Sequence, residues 1–215
     1  MKTSSAAILS EIGPFPGVSQ IGGVAYDGAH IWIAAGDRLC AIDPGSGAIL
    51  RALDVPAHAG TAFDGTHLYQ IVGEAIHKID PATGRVVASV PTPEGGASGM
   101  AWAEGRLWVG QHRARKIHQI DPESGAILRT LQSNRFVTGV TWVEGELWHG
   151  TWEIDESELR RVAPETGEVL EALRMPAGVS VSGLESDGAD QFFCGGGRSG
   201  KVRVVRRPQR QSSGA

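Results

Sequence analysis

Between residues 99 and 131 the chain alternates apolar and polar positions in short runs. Met100 and Trp102, then Leu107 and Val109, alternate on either side of Glu104-Gly105, which predicts two strands joined by a tight hairpin turn. A third strand over 116–120 ends at Asp121-Pro122-Glu123-Ser124-Gly125. There Asp and Ser can bond nearby amides, Pro presets φ and Gly permits a positive one. A fourth strand over 126–131 runs back out. Such a sheet cannot bury both faces alone, so further sheets must stack on it.

The chain supplies them as copies. The same pattern begins at Gly23, Gly60, Gly99 and Gly139, and a degraded version begins at Gly183; these glycines lie 37, 39, 40 and 44 residues apart. Four short strands repeated about every 40 residues are the signature of a β-propeller. Period-3.6 patterns, which a helical solenoid needs, do not occur. The expected fold is all-β, a five-bladed β-propeller of four-stranded antiparallel blades.

The segment 7–12 resembles the fourth strands of later blades, whereas the last blade has only three strands before Arg206-Arg207-Pro208. The N-terminal strand is therefore expected to complete the last blade and close the ring, with Ile8 and Leu9 as its apolar anchors, because the blade would otherwise present an open edge. One domain is expected over 1–207, followed by a disordered tail over 208–215 that lacks apolar anchors.

A formal net charge of −4 makes nucleic acid and acidic membranes poor partners, and no apolar run is long enough to span a bilayer. The N-terminus has no signal-peptide core, and Cys40 and Cys194 read as small buried side chains in a reducing compartment, with a disulfide as the alternative. These features point to a cytoplasmic protein.

The turns Asp27-Gly28, Asp64-Gly65, Glu104-Gly105 and Glu144-Gly145 are uniform and define one face of the disc, here the turn face. On the opposite face the repeats stop agreeing, and divergence on a repeated scaffold is where function sits. The loop 150–157 of the fourth blade is the longest and most polar-aromatic there.

The blade pattern, together with Leu68-Tyr69-Gln70, Gly145-Glu-Leu-Trp-His-Gly-Thr-Trp152 and Pro164-Glu-Thr-Gly167-Glu-Val, resembles the five-bladed glutamine cyclotransferases (glutaminyl cyclases). The likeness spans nearly the whole chain, mostly as blade punctuation, with Trp152 its most specific match. It implies a pocket at the channel mouth in which Trp152, Tyr69 and Gln70 contact substrate. The chain departs from the family where chemistry is expected. Ile33 stands where the acid/base Glu would fall, Ser98 and Gly73 replace tryptophans, Gly150 replaces an asparagine, and the run 195–197 replaces a lysine. The resemblance therefore implies the fold and not the reaction.

Two classes of function remain. In the first, a small-molecule enzyme performing cyclotransfer, lyase or hydrolase chemistry, His149, Glu153 and His112 serve as acid/base groups beside an aromatic wall of Trp152 and Phe136. Gln111 contacts the substrate, and Arg135 or Arg198 holds its anionic group. Trp152, Glu153, His112 and Arg135 should then converge on one concavity near the axis. The second class is a non-catalytic propeller binding a ligand or protein on the same face. Strand alternation places His149 with Leu147, so His149 has a competing place between blades. No cofactor motif occurs; a divalent ion in the channel, held by His58, His112 or His149 with Glu94 or Glu153, stays open as an alternative without a supporting spacing. The other tryptophans, 32, 102, 108, 142 and 148, fall in strand register and read as core.

Overall fold

The computed structural model describes residues 1–209 and consists of strands and loops. Five sheets radiate from one axis. Blade one is built of Gly23–Tyr26, Ile31–Ala34, Leu39–Ile42 and Ile49–Leu53, running from the axis outward. Blades two, three and four repeat this plan from inner strands Thr61–Phe63, Met100–Ala103 and Val137–Val143. Blade five runs from Gly183–Ser186 through Gln191–Gly195 to Val202–Arg206, and its fourth strand is Ile8–Ile12 from the N-terminus. Each inner strand touches the next, and the fifth returns to the first.

Period-2 alternation sends successive side chains to opposite faces of each blade, so every interface between blades fills from both sides. One apolar cluster lies at each of the five interfaces. Between blades five and one, for example, Val24 and Ile33 meet Phe193 and Val202. Trp32, Trp108 and Trp148 are buried in these layers. Trp102 stacks on Tyr69 at 5.4 Å and Trp142 on Trp108 at 6.1 Å. Arginine side chains cross outside the clusters: Arg51 Nη2 donates to the carbonyl of Ala82, and Arg129 Nη1 to that of Pro164 at 2.8 Å. The thiols of Cys40 and Cys194 are both buried and unpaired.

Five glycines stand at or near the starts of the inner strands, and at each of them the neighbouring blade occupies the place of a side chain. A Cβ on Gly23 would stand 2.4 Å from the carbonyl oxygen of Ala59, one on Gly60 2.6 Å from the amide of Met100, and one on Gly99 2.1 Å from the carbonyl oxygen of Thr138. Gly139 meets Leu184 at 2.3 Å, and Gly183 returns to Val24 at 2.7 Å. The inner strands thus pack backbone to backbone around the axis.

The ring closes as the sequence predicts, with Ile8–Ile12 antiparallel to Val202–Arg206. Its anchors differ from the expected pair. A bulge between Ile8 and Ser10 turns Leu9 outward, leaving it 43% exposed, while Ile8 and Ile12 pack against the clusters on either side of blade five. An additional strand, Lys2–Ser5, pairs in parallel with Val169–Arg174 of blade four. At the other end Arg207 is buried, its Nη2 lying 2.7 Å from Glu144 and 3.2 Å from Glu146. Both ends of the described chain therefore fasten to blade four. Residues 208–209 are irregular, and the rest of the expected tail lies outside the described residues. No helix among the described residues is long and apolar enough to cross a membrane.

Deleting residues 1–13 should cost at least about 3 kcal/mol, the scale of burying the Ile8 and Ile12 side chains. That corresponds to a fall of roughly 10 °C in Tm for a chain of this size. A thermal melt unchanged by the deletion would show that blade five is complete without its N-terminal strand.

Candidate functional site

The residues that precede the ring glycines on the diverse face are Gly22, Ala59, Ser98, Thr138 and Ser182. Because all are small, the channel opens there into a cup of about 370 Å³, walled by Gln20, His58, His112 and Arg198. A second cavity, of about 720 Å³, runs outward between blades four and five; Trp152, Asp155, Ser180 and Arg203 line it. Thr138, Ser182, Gly197 and Arg198 line both, so cup and groove form one continuous concavity.

Hydroxyls stitch the rim of the cup. Ser98 Oγ lies 3.0 Å from the carbonyl oxygen of Gly110 and 2.9 Å from that of Val137 in the next blade. Ser182 repeats the arrangement, at 3.0 Å from Gly195 and 2.6 Å from Ile21. Thr138 holds the equivalent place in blade four, yet its buried Oγ1 has no partner among the described residues. The cause is local. A register shift between Val137 and Val140 changes the start of that strand, and the Gly150 carbonyl, the counterpart of Gly110 and Gly195, accepts from His149 Nδ1 at 3.1 Å.

His149 is therefore placed between blades, 1% exposed, and lines neither cavity. Burial, aided by the nearby Arg160 charge, lowers its pKa to about 4, so the ring is neutral at physiological pH.

Phe136 forms the centre of a separate cluster at the rim of blades three and four. His112 stacks on it at 4.7 Å, and the Arg115 guanidinium lies 4.5 Å from its ring centre. Arg115 also reaches Glu153 at 2.7 Å. Arg135 lies 4.0, 3.9 and 3.8 Å from Glu153, Glu156 and Glu158. Of the four residues expected to converge, His112 thus faces the cup and Trp152 the groove, while Glu153 and Arg135 pair with each other beside them. Arg198, the other cation named from sequence, stands at the junction of cup and groove.

The remaining candidates serve the scaffold. Gln111 is buried, donating to the carbonyls of Glu94 and Gly96 and paired with His118. Gln70 donates to the carbonyls of Ala59 and Ile71 and accepts from Thr61 Oγ1. Tyr69 packs near the turn face beside Lys78, which pairs with Asp64 of that face. For the divalent-ion alternative, no three His, Cys, Asp or Glu among the described residues come together to hold a metal.

Sequence reasoning passed over Thr138 and Arg203. Their signals were present: a small hydroxyl residue directly before the ring glycine in three blades, and a charge between the valines of the strand Val202–Arg206. The tip of the blade-four loop has a further oddity. Ile154 and Asp155 take left-handed φ of 52° and 60°, and Ile154 is 93% exposed. A β-branched residue is strained there, and such strain clusters at functional sites.

The structure is similar to that of Myxococcus xanthus glutaminyl cyclase, with a TM-score of 0.79, 16% identity, and coverage of 95% of this chain and 97% of that one. The fold is that of a glutaminyl-cyclase-like propeller. Lesser similarity extends to the WD40 propeller domain of Doa1 (TM-score 0.57, 14% identity, 91% and 66% coverage). It also extends to Kuenenia stuttgartiensis hydrazine synthase (0.54, 14%, 83% and 56%). No family model and no curated protein matches the sequence.

Two desolvated groups, one buried and one half-buried, should set opposite pH dependences. Folded His149 titrates near 4 against an ordinary 6.5, so between these values the unfolded chain binds the extra proton and stability falls as pH drops. Glu185, held by Thr141 and the Ser186 amide but desolvated on the innermost strand, is raised to about 7 from 4.5. Here the folded chain keeps the proton, so stability falls as pH rises through that range. His149→Gln should therefore leave a stability that declines from pH 4.5 to 7, and Glu185→Gln one that climbs from pH 4 to 6.5. Urea unfolding across these pH values checks both; parallel profiles for wild type and variants would refute the assignment.

Proposed function

We propose that this chain acts on a small organic molecule bound across the cup and groove, with His112 and His58 as its proton-transfer groups and Trp152 as its aromatic wall. The observation that carries the proposal is the composition of the cup. Among the described residues, the titratable side chains lining it are His58, His112 and Arg198, and none is a carboxylate. Imidazole titrates near neutral pH and can both take and give a proton, so chemistry at this mouth would run on histidine. The glutaminyl-cyclase-like fold supports a cyclotransferase-like relative. Cyclisation of N-terminal glutamine itself is not the proposed reaction, because Ile33, at the position of the family's acid/base Glu, is wholly buried in the cluster between blades five and one.

A second reading is a binding propeller without turnover. The ion pairs joining Arg115 and Arg135 to Glu153 favour it, since they occupy groups that catalysis would need free. In either reading the partner is a small molecule or a protein, not nucleic acid or membrane, and the two free thiols suit a cytoplasmic setting.

The imidazole NMR signals of the seven histidines provide the test. On titration with small-molecule fragment mixtures, the His58 and His112 rings should shift together while His30 and His67 on the turn face stay fixed. A peptide with N-terminal glutamine should cyclise no faster than in buffer. Shifts confined to the turn face would overturn the placement, and robust cyclisation would overturn the exclusion.

A further inference from the structure

The groups left without protein partners along the groove define what it can hold. Arg203 is 8% exposed. Its Nε donates to Glu11 at 2.7 Å, while its Nη groups have no acceptor among the described residues. Room for them exists because residue 196 is glycine: a Cβ there would stand 2.6 Å from Arg203 Nη1. Arg198, on the loop above, makes no ion pair or hydrogen bond among the described residues and lines the same cavity. At the axial end stands Thr138, also 8% exposed, with an Oγ1 that has no partner. The Trp152 indole nitrogen is unpartnered among the described residues too. Asp155 is the one carboxylate lining the groove, and it lies at the exposed loop tip.

The Nη donors that Glu11 leaves over and the buried Thr138 hydroxyl are costly to leave without acceptors, and here both face one cavity that already holds a second guanidinium, that of Arg198. We propose that the groove between blades four and five is an oxyanion-binding site for a small organic acid or phosphate ester. Arg198 and Arg203 supply the charge, and the Thr138 hydroxyl donates a hydrogen bond at the axial end. The inference rests on the small-molecule reading above and names the chemical class of its ligand. A molecule held this way extends from Arg203 toward the cup and presents its other end to His112 and His58. Guanidinium binds carboxylate and phosphate alike through paired N–H donors, so both sources fit.

The test is a pair of calorimetric titrations, one with inorganic phosphate and one with succinate, at fixed ionic strength. At least one probe should bind saturably, and which one does separates the two sources. Arg203→Gln and Arg198→Gln should each weaken it tenfold or more, and Thr138→Val about tenfold, on the scale of hydrogen bonds to charged groups. Glu11→Gln removes the same ion pair as Arg203→Gln but keeps the guanidinium. It should retain binding even if its Tm falls, which separates recognition from folding. Arg113→Gln, on an exposed neighbouring loop, should change nothing. The proposal is overturned if neither probe binds, if Arg113→Gln weakens binding as much as Arg203→Gln, or if Arg203→Gln and Thr138→Val leave affinity unchanged. Repeating the titration in His112→Ala separates this site from the proton-transfer reading: anion binding should persist there, so either proposal can fail alone.

Discussion

The structure depends on the backbone contact between inner strands at Gly23, Gly60, Gly99, Gly139 and Gly183. At each of these positions the next blade stands within 2.1–2.7 Å of where a Cβ would be, so five strands come closer to the axis than any side chain would permit. The apolar clusters, the ring closure by Ile8–Ile12 and the cup above the glycines all follow from that approach. Separate sheets would leave their apolar faces uncovered. The ring converts them into one closed stack in which each blade covers its neighbour.

The same constraint explains where function can reside. Immediately outside the ring the residues must still be small, and their smallness opens the cup. Blade four is where the repeating rule for those residues breaks. His149, buried and neutral, occupies the Gly150 carbonyl, the acceptor whose equivalents in blades three and five bond Ser98 and Ser182. Thr138 keeps an unspent hydroxyl at the junction of two cavities. A residue read from sequence as a catalytic candidate thus lies buried behind the site instead of facing the ligand. On the turn face Asp27 and Asp64 cap their own hairpins.

Blade number, strand order and N-terminal closure were legible because each has a local chemical cause: period-2 alternation, Asp-Gly and Asp-Pro turns, and an unpaired fourth-strand position. The strand Lys2–Ser5 was not legible, since Lys-Thr-Ser-Ser is exposed at every position and leaves no apolar signature. Leu9 was misplaced as an anchor because a bulge, invisible in the pattern, reverses its side. At the site, Trp152 stood out by falling outside strand register and Arg198 as a cation for an anionic group, and both line the concavity. Gln70 and Gln111 sit on second strands, but their amides are spent on backbone carbonyls that only the folded chain brings near. Arg203 was hidden for the opposite reason: it occupies the third-strand position held by Cys40, His77 and His118 in other blades, a place that reads as core.

The most direct measurement of the ring's role is the urea unfolding of Gly99→Ala. Gly99 has no left-handed φ, so alanine meets no dihedral penalty, and the atoms its Cβ would meet belong to the backbone at Thr138 and Gly139. Overpacking against backbone that cannot rotate away should lower stability by about 3 kcal/mol, with an unchanged m-value. A variant as stable as the wild type would contradict the claim that the five-bladed ring is held by glycine-to-backbone contact.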